Sequence, residues 1–95
     1  MDYKLIIRPE ARSELLDIFQ WYQEQRSGLG FDFKLCVDEI FSKLIKHSSI
    51  YKKIYNDIRK AVTQRFPFGI FYLINNDHVI ILAVLHARRD PENWN

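Results

Sequence analysis

A short break between two helix-forming segments restricts the fold of this chain more than any other feature of its sequence. In the first segment, apolar residues recur with the spacing of one helix face at Ala11, Leu15, Ile18, Phe19 and Tyr22. The second keeps that spacing at Leu29, Phe33, Cys36, Val37, Ile40, Phe41 and Leu44. Ser27 and Gly28 separate the two, and Gly28 suits the left-handed conformation that ends a helix. So short a link predicts an antiparallel helical hairpin.

Four other segments have the composition of β-strands. One precedes the helices and ends at Pro9, which suits the first turn of a helix because it has no N–H to leave unpaired. The other three follow the helices and are separated by turn-forming residues. The four segments are Tyr3–Ile7, Ile58–Phe66, Gly69–Ile74 and Val79–Leu85. The apolar run at 79–85 predicts an inner strand of the sheet, and 51–57 is interpreted as a connecting loop.

The order of these elements predicts the fold class. One strand, two helices and three strands give a β-α-α-β-β-β chain. This is an α+β fold in which the helical hairpin packs on one face of a small, mostly antiparallel sheet. A chain of 95 residues is expected to form a single domain over 1–95.

Several classes of protein are excluded by what the sequence lacks. Cys36 is the only cysteine, so no internal disulfide can form, and no Cys/His spacing typical of a metal site occurs. The first residues do not have the pattern of a signal peptide, and no run approaches the ~18 apolar residues of a membrane span. We therefore expect a cytoplasmic protein that needs no metal or other cofactor and does not associate with a membrane.

Charge is concentrated in one part of the chain. Residues 43–65 contain seven lysines and arginines and only one acidic residue, Asp57, whereas the whole chain has a net charge of +2. Such a segment favours an acidic or polyanionic partner, although a solvated lysine-rich surface would have the same composition.

The order and spacing of several short motifs resemble those of the RelE/ParE superfamily of bacterial toxins. The motifs are Pro9-Glu10-Ala11, Trp21-Tyr22, Gly28-Leu29-Gly30, Arg65-Phe66-Pro67-Phe68, Tyr72, His86-Ala87-Arg88-Arg89-Asp90-Pro91 and Trp94. The resemblance as a whole covers 3–94. The Trp-Tyr pair, the Gly-x-Gly link and the His-Ala-Arg-Arg-Asp ending are most similar to the ParE-like branch, whose members are also called plasmid stabilisation proteins.

The resemblance implies the toxin of a type II toxin–antitoxin system. Such a toxin inhibits growth and is neutralised by a cognate antitoxin protein in a hetero-oligomer. ParE-like members are thought to act by protein contact on DNA gyrase and are not nucleases. RelE-like members resemble ribosome-dependent mRNA endoribonucleases that use no metal. We take the ParE-like function as the leading hypothesis, with the RelE-like nuclease or an inactive, antitoxin-binding homologue as alternatives.

The nuclease alternative requires an acid or base and several cations beside one phosphate. Its candidate catalytic residues are His86, Arg65 and Arg89, and histidine is the residue type most often used for proton transfer. The C-terminal tyrosine expected of a RelE-like nuclease is absent, since the last tyrosine is Tyr72. That departure disfavours mRNA cleavage, although His86 could take its place.

Four residues are candidates for contact with the target or the antitoxin: Arg59, Lys60, Arg88 and Trp94. Each also has a structural alternative, a solvated charge or salt bridge for the cations and packing against the core for Trp94. In a strand over 58–66, Arg59 and Arg65 would point to one face and Lys60 to the other. That alternation limits how many cations can converge on one phosphate.

Overall fold

The computed structural model describes residues 2–86, in which a helical hairpin packs on one face of a mixed sheet. The predicted α+β class is confirmed. The elements in chain order are β1 (Lys4–Ile7), α1 (Pro9–Gln25), α2 (Leu29–Lys46), β2 (Lys53–Tyr55), β3 (Ile58–Val62), β4 (Phe68–Asn75) and β5 (His78–His86).

The strands of residues 2–86 are arranged in the order β1-β5-β4-β3-β2. The pair β1–β5 is parallel and the other pairs are antiparallel. Because the helical hairpin carries the chain over one face, β1 can lie beside β5, the last strand along the chain. The prediction that 79–85 forms an inner strand is therefore confirmed, since β5 lies between β1 and β4.

Strand β2 corrects the sequence interpretation, which placed a loop at 51–57. Residues Lys53–Tyr55 pair with β3 through a tight turn in which Asn56 has a φ of 47°. Every side chain of β2 is exposed, so the strand has no alternation of buried and exposed residues that a sequence pattern could reveal. Within the described chain the element order is therefore β-α-α-β-β-β-β.

Strand β3 is shorter than predicted and ends at Val62 rather than at residue 66. Thr63 closes the turn to β4, because its N–H donates to the Phe68 carbonyl at 3.1 Å and its buried hydroxyl donates to the Phe66 carbonyl. The prediction that Arg59 and Arg65 share one strand is therefore wrong. Arg65 lies in the turn.

The core lies between the helices and the sheet, and aromatic rings fill one end of it. The ring of Phe33 on α2 lies 5.7 Å from that of Tyr22, 5.5 Å from that of Phe66 and 5.6 Å from that of Phe68. This aromatic cluster joins both helices to the turn after β3. The apolar stripes predicted for the two helices therefore meet at this cluster.

A β-bulge interrupts the pairing of β4 with β5. Phe71 is opposite Ala83 and Tyr72 is opposite Ile81, so Leu82 is an extra residue on β5. The carboxylate of Glu14 on α1 accepts a hydrogen bond from the Val84 N–H at 2.9 Å. This contact satisfies a backbone group beside the bulge and fixes α1 against β5.

No helix of the described chain is long and apolar enough to cross a membrane.

Candidate functional site

Two of the proposed catalytic residues lie at the same end of the sheet. The Arg65 guanidinium stacks on Phe66, 5.3 Å from the ring centroid, and donates to the Asp32 carboxylate at 3.3 Å. His86 ends β5, and its ring lies edge-to-face with Phe68 at 5.5 Å. Phe66 and Phe68 both contact Phe33, so the aromatic cluster connects Arg65 with His86.

Arg59 points toward the helical side of the sheet and forms hydrogen bonds with the backbone of a loop. Its guanidinium donates to the carbonyl of Tyr51 at 2.6 Å and to that of Ser49 at 3.3 Å. These bonds hold the loop between α2 and β2 against β3. A guanidinium engaged with two carbonyl groups has fewer N–H groups left for a phosphate or a carboxylate.

Tyr72 anchors the same loop and is fully buried. Its hydroxyl donates to the Ser48 carbonyl at 2.7 Å. Burial raises the pKa of Tyr72, and the nearby charge of Arg59 only partly opposes that rise. The phenol therefore stays protonated and serves the core.

Lys60 lies on the face of the sheet opposite the helices, as the strand alternation predicts. It pairs with Phe71 across β3 and β4, and its ammonium lies 5.5 Å from the centroid of that ring. The aliphatic part of the Lys60 side chain passes over Gly69. A Cβ added to Gly69 would lie 2.7 Å from Cε of Lys60. Lys60 and Arg59 are thus directed to opposite faces of the sheet.

The other three candidates, Arg88, Arg89 and Trp94, lie outside the described residues. Among residues 2–86 no group of three or more His, Cys, Asp or Glu side chains is placed to hold a metal ion. The four candidates that lie in residues 2–86 do not form one cluster. Arg65 and His86 share one end of the sheet, and Arg59 and Lys60 lie on separate faces.

An apolar groove with a volume of about 410 Å³ lies between α1 and α2. Its walls are formed by Leu15, Leu16 and Phe19 from α1, Phe31, Val37 and Phe41 from α2, and Ile7 from β1. Leu16 and Phe31 are more than half exposed although both are large and apolar. Arg12 lies on one wall, and the ion pair of Lys34 with Asp38 (2.9 Å) lies on the other.

Sequence reasoning did not identify this groove. Leu16 and Phe31 are not among the residues named above for the predicted apolar stripes. The available signal was that both residues are apolar but lie outside the core-facing positions of their helices. Whether such residues form a groove depends on the packing angle of the two helices, which the sequence pattern does not specify.

Comparison with known proteins agrees with this architecture. The family model described as the ParE toxin of the type II toxin–antitoxin system, parDE, matches residues 5–91. No curated protein matches the chain by sequence.

Solved structures of toxins share the fold. The chromosomal ParDE toxin–antitoxin system of Pseudomonas aeruginosa aligns with a TM-score of 0.79 at 14% identity, covering 90% of this chain and 97% of that one. A RelE mutant of Escherichia coli in the free state aligns with a TM-score of 0.67 at 15% identity, over 93% and 86%. The RelBE2 toxin–antitoxin complex of Mycobacterium tuberculosis aligns with a TM-score of 0.63 at 18% identity, covering 90% of this chain and 99% of that one. Since the family model spans nearly the whole described chain, the protein belongs to the ParE toxin family of type II toxin–antitoxin systems.

Proposed function

We propose that this toxin inhibits growth by protein contact with DNA gyrase and that a cognate antitoxin neutralises it. Membership in the ParE family supports this branch of the superfamily. The ParDE and RelBE2 structures with the same fold come from toxin–antitoxin systems, which supports an antitoxin partner.

The observation that carries the proposal is the dispersal of the described cations. Arg59 donates to loop carbonyls, Lys60 lies on the opposite face, and Arg65 is paired with Asp32. Phosphodiester cleavage without a metal needs several cations directed at one phosphate to stabilise its extra charge. Among these three residues no such convergence exists, so action by protein contact is the better supported mechanism.

The groove between α1 and α2 is the proposed antitoxin site. A groove of about 410 Å³ with apolar walls suits an amphipathic helix, which would place apolar side chains between Leu16 and Phe31. An acidic antitoxin would also interact favourably with Arg12, which lies on one wall of the groove.

Replacing Phe31 by glutamate is expected to weaken antitoxin binding about 30-fold, because a charge in an apolar site forfeits contacts worth ~2 kcal/mol. The measurement is the dissociation constant of the purified toxin for the antitoxin encoded beside it. Phe31 is 56% exposed, so the fold should tolerate the change.

The matched control is Leu35→Glu. Leu35 lies one turn further along α2 and is 62% exposed, but it does not line the groove. The Leu35→Glu substitution should leave the affinity for the antitoxin unchanged. Equal weakening by both substitutions would show that charge on α2 matters and the groove does not. No effect of either would place the antitoxin elsewhere.

The RelE-like nuclease remains the second candidate because His86 and Arg65 are joined through the aromatic cluster at one end of the sheet. Cleaved messages in cells that express the toxin, restored to full length by His86→Ala, would assign the activity to this end. Cells that keep growing without any antitoxin would instead identify an inactive homologue that only binds its partner.

A further inference from the structure

A second exposed surface lies at the edge of the sheet formed by β2. We define the β2 corner as residues 50–55, with the sequence Ile-Tyr-Lys-Lys-Ile-Tyr. Within residues 2–86, β2 pairs with β3 on one side and with no strand on the other. Ile50 is 57% exposed and Ile54 is 45% exposed. The corner therefore combines an open strand edge with apolar side chains in solvent.

The charge of the β2 corner is positive. Lys52 and Lys53 are both exposed, and the small cavity lined by Tyr51 also contains Lys43 and one acidic residue, Glu39, from α2. Asp57 is the nearest acid along the chain and binds Lys53 at 3.2 Å, which leaves a net positive surface. An extended segment with acidic and apolar residues would complement it. A second copy of this chain would not, because lysines would then face lysines.

The β2 corner and the groove lie on different flanks of α2. Lys34, Asp38 and Phe41 of α2 face the groove, which also contains Ile7 from β1 at the opposite edge of the sheet. Cys36, Glu39 and Lys43 face a cavity of about 210 Å³ beside the end of β3. A protein segment in the groove would therefore leave the β2 corner accessible.

We propose that the β2 corner binds the target protein of the toxin, which adds an acidic extended segment as a further strand along β2. The inference rests on the proposed function, since it assigns the target and the antitoxin to separate surfaces. Main-chain hydrogen bonds to the open edge provide affinity, and Lys52 and Lys53 select acidic side chains. The corner exposes two isoleucines (57% and 45%) and one tyrosine, Tyr55 (37%), so aliphatic side chains dominate its apolar surface. This favours a protein over a nucleic acid, which would stack on aromatic or arginine side chains.

The test is the double substitution Lys52→Glu/Lys53→Glu in the full chain. The readouts are growth arrest after induction, binding to purified DNA gyrase and binding to the purified antitoxin. Loss of growth arrest and of gyrase binding is expected, with unchanged antitoxin affinity. The matched control is Lys4→Glu/Arg26→Glu, which makes the same charge change at exposed positions outside both surfaces and should behave as wild type. If the glutamate variant has a lowered melting temperature, the Lys52→Ala/Lys53→Ala variant is tested in its place with the same readouts.

The other outcomes overturn the inference in distinguishable ways. Growth arrest by the Lys52→Glu/Lys53→Glu variant would leave the toxin function intact and remove the β2 corner from it. Loss of antitoxin binding would assign the corner to the antitoxin. Binding of a single-stranded RNA oligonucleotide by wild type but not by the variant would assign it to nucleic acid. Wild-type protein that arrests no growth would contradict the proposed function together with the inference.

Discussion

Replacing Phe33 by alanine is expected to lower the free energy of unfolding by about 3–5 kcal/mol. Phe33 is 1% exposed, and its ring contacts those of Tyr22, Phe66 and Phe68. Alanine would leave a cavity among three rings that are held by different elements, so the surrounding structure can collapse only in part. Domains of this kind are stable by about 5–15 kcal/mol, so the substitution should remove a large share of the total.

Urea unfolding of Phe33→Ala and Phe31→Ala measures this difference directly. Phe31 is two residues earlier on the same helix, is 56% exposed and has an edge contact with Phe19 at 4.9 Å. Its removal should cost only about 1 kcal/mol, since little area is buried and a single ring contact is lost. Similar losses for the two variants would show that the aromatic cluster is not the centre of the core.

Gly30→Ala is expected to destabilise the helical hairpin by about 3 kcal/mol, because overpacking at a close contact forces the backbone to move. A Cβ at this position would lie 2.6 Å from the carbonyl oxygen of Phe19 and 2.6 Å from Cγ of Gln23. The side chain of Gln23 could shift, but the carbonyl oxygen belongs to the backbone of α1. The helices would have to separate, which would also disturb the bond from the Gly30 N–H to Gln23 Oε1 at 2.8 Å.

Gly28→Ala is the matched substitution for this test. Gly28 has a φ of 88° but nothing within 4 Å of an added Cβ, so only the cost of the left-handed conformation applies. That cost is about 1–2 kcal/mol. Thermal unfolding should therefore show a larger fall in Tm for Gly30→Ala, of roughly 15 °C in a domain of this size. A larger effect of Gly28→Ala would mean that the turn limits stability more than the approach of the helices.

The helices and inner strands could be predicted because each has one buried face. The spacing of apolar residues from Leu29 to Leu44 predicts α2, and the structure gives Leu29–Lys46. The run at 79–85 falls within β5 (His78–His86), which is half-buried even on the face away from the helices. Such patterns are local, so a single sequence reveals them.

The features that were missed depend on contacts between distant residues or on exposed positions. Strand β2 has no buried side chain, and the bulge at Leu82 arises from the pairing of β4 with β5. The role of Gly30 is to allow the close approach of α2 to Phe19 of α1, which the apolar pattern of the helices does not reveal. No sequence pattern encodes the distance between two helices.

The candidate site was predicted only in part for the same reason. Alternation along a strand correctly placed Lys60 opposite Arg59, but it placed Arg65 in that strand because the turn bonds of Thr63 were not foreseen. The roles assigned to His86, Arg65 and Arg89 in catalysis, and to Arg59, Lys60, Arg88 and Trp94 in binding, stay predictions. Arg59 also has a structural role in the described loop.

The most direct measurement follows growth after induced expression without the antitoxin, with gyrase-dependent DNA breaks and total mRNA integrity determined in the same cultures. Action on gyrase by protein contact predicts growth arrest with DNA breaks and intact messages, and both effects should disappear when the antitoxin is co-expressed. Growth arrest with cleaved messages and no DNA breaks would contradict this mechanism and assign the toxin to the ribonuclease branch.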